Sequence, residues 1–220
     1  MPSLPIHQTP FSAPWMTWVL LALFVIVTLA VLVNGSHVSM GFTTYFQRIE
    51  RRYADGVVSP RIGLMMHLFR VAASALALYW VLWNLYASDT AYQPLPYAIL
   101  ILLLAVVWGV HRLLLWWIAV TFSLSSRLQA FINHYLNLWT SLSVVLFVLV
   151  IIGSALPNPT AVLYLMAACA VTYPAAVMLK LVTLSPITWR MLIYVPLYVL
   201  TVDILPLAAL FYVGKIIVTL

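Results

Sequence analysis

The feature that most constrains this chain is the length of its apolar runs. From Trp15 to Val33 there is no charged side chain, and comparable runs recur to the end of the sequence. A helix needs roughly 20 apolar residues to cross the hydrocarbon of a bilayer, and there every backbone polar group must be answered within the segment. Composition agrees: 65% of the 220 residues are hydrophobic and 6% are charged, against about 25% charged in a typical soluble domain. A soluble globule is excluded. The expectation is an all-α, polytopic transmembrane helix bundle of about six spans, at residues 15–33, 62–86, 97–120, 127–155, 160–182 and 190–213, forming one integral membrane domain over 1–220.

Between the first two spans, Asn34-Gly35-Ser36 reads as a helix stop. Phe42, Tyr45, Phe46, Ile49 and Tyr53 then recur at helical spacing, with Arg48, Glu50, Arg51 and Arg52 on the other positions. That pattern fits a short amphipathic helix on the cytoplasmic membrane surface, and equally a solvated basic loop. Ser126 with Gln129 three positions on forms a capping-box pattern at the start of the fourth helix. Charge sets the orientation. Arg48, Arg51, Arg52 and Arg61 lie in the first loop, Arg127 in the third, and Lys180 and Arg190 flank the fifth, while the second and fourth loops have no basic residue. The positive-inside rule then puts both termini outside the cytoplasm, with Lys215 as the exception.

The formal net charge of +6 would suggest nucleic acid in a soluble protein. Here the basic residues flank apolar spans, so the expected partner is a bilayer with anionic headgroups at its cytoplasmic face, and nucleic acid is not expected. A membrane-protein partner or a homo-oligomer is expected as well. The single cysteine, Cys169, excludes an internal disulfide framework. No Lys or Arg precedes the first apolar run, so that run is expected to stay as a helix instead of being removed as a signal peptide. No internal repeat is evident, which leaves the inverted-repeat plan of many transporters unsupported.

Ionisable and amide side chains at bilayer depth supply the candidate site. Asp203 is the only acidic residue inside an apolar run, and Pro206 leaves the nearby Val202 carbonyl without its helical donor. Counting inward at ~1.5 Å per residue puts His67 and Arg70 about 6–14 Å deep, with His111 and Arg112 at similar depth. Asn133, His134 and Asn137 fall in the first turns of the fourth helix. His67, Arg70 and Ser74 share one face by their spacing, as do Asn133 and Asn137. One reading is a cationic cavity open to the inner leaflet, because guanidinium groups suit phosphate and carboxylate. The alternative is that Arg70 and Arg112 reach towards headgroups with their stems in lipid, with Asp203 cancelling one charge. Three histidines at one depth also raise haem ligation or an aspartate–histidine proton path. No cofactor and no metal site is required, and the Trp and Tyr residues read as interface belts.

Signatures of soluble enzymes are absent: no Gly-rich phosphate loop, no G-x-S-x-G and no H-E-x-x-H. The stretches Tyr194-Val-Pro-Leu-Tyr198, Thr201-Val-Asp203-Ile-Leu-Pro206-Leu and Phe131-Ile-Asn133 to Asn137 resemble a family of Bacteroidota integral membrane proteins, catalogued as domain of unknown function 4271. The family's usual acid before Ile-Leu-Pro is glutamate, so Asp203 is one methylene shorter. The resemblance implies the inner membrane of a Gram-negative cell and supplies no activity. The functional expectation is an accessory or structural subunit of an envelope assembly. The alternatives are a binding or catalytic site for an anionic lipid or similar ligand, and then a haem- or proton-handling protein.

Overall fold

Prolines open the first three helices. The computed structural model describes residues 13–44, 60–87, 92–121, 125–184 and 199–219. Helices α1 (Pro14–Thr44), α2 (Pro60–Tyr86) and α3 (Pro94–Thr121) each begin on a proline, whose fixed φ suits the first turn and whose missing N–H is not needed there. Helix α4 spans Ser125–Ala155 and α5 spans Thr160–Leu184. The α5 start is capped by Asn158, whose Oδ1 accepts from Thr160 N at 3.1 Å and from Thr160 Oγ1 at 2.6 Å. A π-helical turn, Val199–Ile204, leads directly into α6 (Leu205–Thr219). Among the described residues there is no strand.

Four segments are long and apolar enough to cross a membrane: Leu64–Tyr86, Pro94–Leu114, Tyr135–Ala155 and Thr160–Leu179. Pro14–Leu29 and Leu205–Thr219 are shorter apolar helices. The all-helical membrane architecture expected from the apolar runs is the one observed.

Some boundaries differ. Helix α1 runs through Asn34-Gly35-Ser36 to Thr44, giving 31 residues. A glycine inside a helix costs only about 1 kcal/mol, less than an early end would cost in lost ladder. The start of the expected amphipathic segment, Phe42–Thr44, therefore belongs to α1, and the rest of it lies outside the described residues. Helix α4 begins at Ser125, so Ser126 falls inside its first turn instead of capping it. The last helix extends to Thr219 and takes in Lys215, while residues 185–198 lie outside the described set.

Helix α2 is the centre of the bundle, packing on α1, α3, α4 and α6. Its Phe69, Ala73, Ala75, Leu76, Tyr79, Trp80 and Leu82 are all buried. Two glycines allow close approaches. A Cβ on Gly153 of α4 would lie 2.6 Å from the Trp80 ring, and one on Gly214 of α6 would lie 2.6 Å from Leu82 Cδ1 and 3.1 Å from Leu100 Cδ2. Helix α6 is thus seated between α2 and α3. The outward faces carry large apolar side chains, among them Trp18, Leu102, Tyr164 and Val171, as a lipid-facing surface requires.

At the end where α2 turns into α3, aromatic rings fill the core. Trp83 stacks on Tyr92 at 3.8 Å, and Tyr79 lies 6.0–6.2 Å from Trp15, Tyr92 and Tyr97. The polar tips of Trp15 and Tyr79 find backbone partners, while the Trp83 indole N–H and the Tyr92 hydroxyl are buried without one among the described residues. Trp15 Nε1 donates to Tyr92 O at 3.0 Å, and the Tyr79 hydroxyl donates to Gln93 O and accepts from Gln93 N, both at 3.0 Å. Burial, with a smaller push from Tyr79, raises the Tyr92 phenol well above the usual tyrosine range, while Asn84 acts the other way. These rings are interior packing, a different role from the interface belt expected of them.

Candidate functional site

The opposite end of the bundle, built from the start of α2, the end of α3 and the start of α4, holds the candidate residues. Arg70 is 4% exposed and turned inward. Its Nε donates to Met66 O, one turn back on α2, at 3.1 Å. Nη1 donates across to Leu136 O of α4 at 3.0 Å, and Nη2 to His67 Nδ1 at 2.7 Å. Guanidinium nitrogens have no acceptor capacity. His67 Nδ1 is therefore the accepting nitrogen, and the imidazole proton sits on Nε2.

The Arg70 Cζ also lies 5.9 Å from the centre of the Trp139 ring. Trp139 is held by two serines. Its Nε1 donates to Ser74 Oγ at 3.1 Å, and Ser143 Oγ donates to Trp139 O at 2.8 Å. The Ser74 and Ser143 hydroxyls lie 3.2 Å apart. Ser143 has spent its one proton on Trp139 O, so Ser74 is the donor between them. The loop closes with each of these hydroxyl protons used.

Helix α3 adds a second cation through an aromatic wall. The Trp108 ring lies 4.5 Å from His67 and 6.0 Å from Trp139. The Arg112 Cζ sits 5.3 Å from the centre of the Trp108 ring, and Arg112 is half-buried. Next to Arg112 in sequence, His111 is buried and meets Tyr135 of α4 edge-on at 4.8 Å, and Tyr135 in turn meets Tyr173 of α5 at 6.1 Å. His111 thus joins α3 to α4 and, through Tyr135, to α5.

Of the candidates read from sequence, His67, Arg70 and Arg112 come together around Trp108, and His111 and Asn137 stand beside them on α3 and α4. The side chains of Asn133, His134 and Asp203 lie outside the described residues. Arg70 does not extend to the headgroups; its charge is met by two carbonyls, an imidazole and an indole face. Among the described residues, no three His, Cys, Asp or Glu side chains form a metal-holding group. A described cavity of about 400 Å³ lies elsewhere, an apolar cleft between α1 and α4 lined by Thr17, Trp18, Leu20, Leu21, Phe24 and Ile151.

Sequence reasoning missed Trp108, Trp139, Ser143 and the Leu136 carbonyl. A signal was present for two of them: Trp108 precedes Arg112 by four residues, and Trp139 precedes Ser143 by four. Each pair is therefore stacked on one helix face. The carbonyl leaves no mark in sequence.

An α-helical bundle with spans of membrane length and a cationic, aromatic cluster inside one end defines a polytopic integral membrane protein. Residues 16–213 match the family model described as domain of unknown function (DUF4271), and the chain belongs to that family. No curated protein and no solved structure matches it.

Proposed function

We propose that this protein is an inner-membrane component that holds an anionic group, phosphate or carboxylate, against Arg112 at the cytoplasmic end of the bundle. One observation carries this reading. The Arg112 guanidinium lies on the Trp108 face, and among the described residues it meets no hydrogen-bond acceptor. Five N–H donors at the edge of a bilayer require an acceptor, and an anion supplies one at least cost. Arg70 adds positive potential behind the site without offering itself, because its own hydrogen bonds run within the bundle. Arg61, Arg112 and Arg127 all belong to this end, which supports its facing the cytoplasm and the chain residing in the inner membrane of a Gram-negative cell.

The test is thermal unfolding in neutral detergent. At a concentration ~100 times its Kd, a bound ligand stabilises by about 2.7 kcal/mol. Phosphatidylglycerol should therefore raise the midpoint of the native protein and leave Arg112→Gln unmoved, while phosphatidylcholine does nothing to either. Equal effects of both lipids, or an undiminished response in Arg112→Gln, would sink the reading.

A second reading, an accessory or structural subunit of an envelope assembly, is favoured by the closure of the cluster on itself. Arg70 ties His67 to the Leu136 carbonyl, and Ser74, Trp139 and Ser143 bond one another, which suits a helix tie more than a reactive centre. This reading expects a partner protein, or a second copy of the chain, to stay bound through purification in mild detergent. Native mass spectra showing only the bare chain, from repeated affinity purifications, would count against it.

A further inference from the structure

We infer that the anionic group is the phosphate of a membrane phospholipid, which reaches Arg112 sideways from the bilayer with an acyl chain lying in a shallow groove on α3. This rests on the reading that Arg112 receives an anion, and it adds the source and the route. On α3, Ala105, Gly109, Arg112 and Trp116 follow at spacings of four, three and four residues, so they form one stripe along the helix. Ala105 is exposed, and a Cβ built on Gly109 would meet nothing within 4 Å. The stripe is therefore an open trough one small side chain deep. It leads from the middle of the span Pro94–Leu114 down to a guanidinium two residues from its end.

The walls of this trough suit a lipid. Val106 and Leu113 stand exposed beside it, and Trp116, 63% exposed, lies just past the end of the span. An indole there sits at headgroup level with its ring against lipid. Where Gly214 seats it, α6 fills the α2–α3 groove near Leu82 and Leu100, at the other end from the trough. Next to it on α2, Leu64 and Leu68 flank His67 and are exposed. A soluble anion would have no use for such an apolar approach. A phospholipid would cover the trough with one chain and place its phosphate oxygens where the Arg112 fork of N–H groups can donate to two of them.

The test replaces the floor of the trough. Gly109→Leu fills open space, so it should leave the fold intact, and Ala105→Leu fills the same groove one turn further in. Full-length protein is incubated with vesicles of equal parts phosphatidylglycerol and phosphatidylcholine, extracted and washed, and its retained lipid counted by mass spectrometry. The native chain should retain phosphatidylglycerol selectively. Gly109→Leu and Ala105→Leu should each retain about tenfold less, as should Arg112→Gln, matching the loss of one charge-assisted contact. A large excess of inorganic phosphate should displace none of it. Wild-type retention by both leucine variants, or displacement by inorganic phosphate, overturns the lateral lipid route and assigns the site to a soluble anion. Wild-type retention by Arg112→Gln overturns the underlying anion reading as well.

Discussion

Replacing Gly153 by alanine should destabilise the protein by about 1–3 kcal/mol, and leucine there should prevent a folded product. The added Cβ would sit 2.6 Å from two atoms of the Trp80 ring and 3.1 Å from Val162 Cγ1. Trp80 is 1% exposed and lies in the main core cluster, so the ring has no free direction in which to yield. Two other glycines calibrate the expectation. Gly214→Ala meets the ends of two leucine side chains, Leu82 Cδ1 and Leu100 Cδ2, which can rotate, and it should cost less. Gly109→Ala meets nothing and should be neutral, or stabilising by up to roughly 1 kcal/mol through helix propensity. The order of thermal midpoints should be Gly109→Ala highest, then Gly214→Ala, then Gly153→Ala. A Gly153→Ala midpoint equal to that of the native chain would mean that α2 and α4 do not pack as closely as described.

Removing Arg70 should be nearly as damaging. Arg70→Ala leaves His67 Nδ1 without its donor, takes one partner from Leu136 O, and strips the Trp139 face. Hydrogen bonds from a charged group contribute about 1.5–3 kcal/mol each, offset by relief from holding a cation inside the bundle. The net expectation is a loss of about 2–4 kcal/mol in unfolding free energy. Arg70→Met separates the two terms. It keeps much of the side-chain volume and brings no charge, so it should recover part of the loss. Arg70→Lys should not, because a single ammonium cannot reach Met66 O, Leu136 O and His67 in one planar arrangement. Denaturant titration by tryptophan fluorescence would read all three. If Arg70→Ala lay within error of the native chain, the guanidinium would not be a tie between α2 and α4.

Much of the fold was legible because one term dominates it. A run such as 97–120 has a single low-energy state in hydrocarbon, and the observed α3, Pro94–Thr121, brackets it closely. The end of α1 was not legible. Asn34-Gly35-Ser36 offers a weak local preference, and a helix already running from Pro14 to Val33 outweighs it. The site was half legible for a similar reason. His67, Arg70 and Ser74 share a face within one helix, which spacing alone reveals. What those residues touch depends on how α2, α3 and α4 are rotated against each other. Packing at Gly153 and among the buried alanines of α2 decides that, and no local pattern announces it. The indoles were misread for a physical reason too: a tryptophan near the end of a span suits the interface equally well whether its ring faces lipid, as Trp116 does, or turns inward beside a histidine, as Trp108 does.

The π-helical turn ahead of α6 has a consequence for how one stretch of chain serves two neighbours. Each residue of an α-helix advances about 100° around its axis, so one extra residue in a turn shifts the phase of everything beyond it by about that much. Val199–Ile204 packs against α5, whereas α6 beyond it packs against α2 and α3. The phase slip lets the same chain turn one side to α5 early on and a different side to the groove lined by Leu82 and Leu100 later. It falls just before Pro206, where an uninterrupted ladder would in any case lack a donor. Deleting a single residue from the turn would shorten the chain by very little. It would also rotate Gly214 out of its seat, so the length of this turn is as much a packing determinant as any side chain in the core.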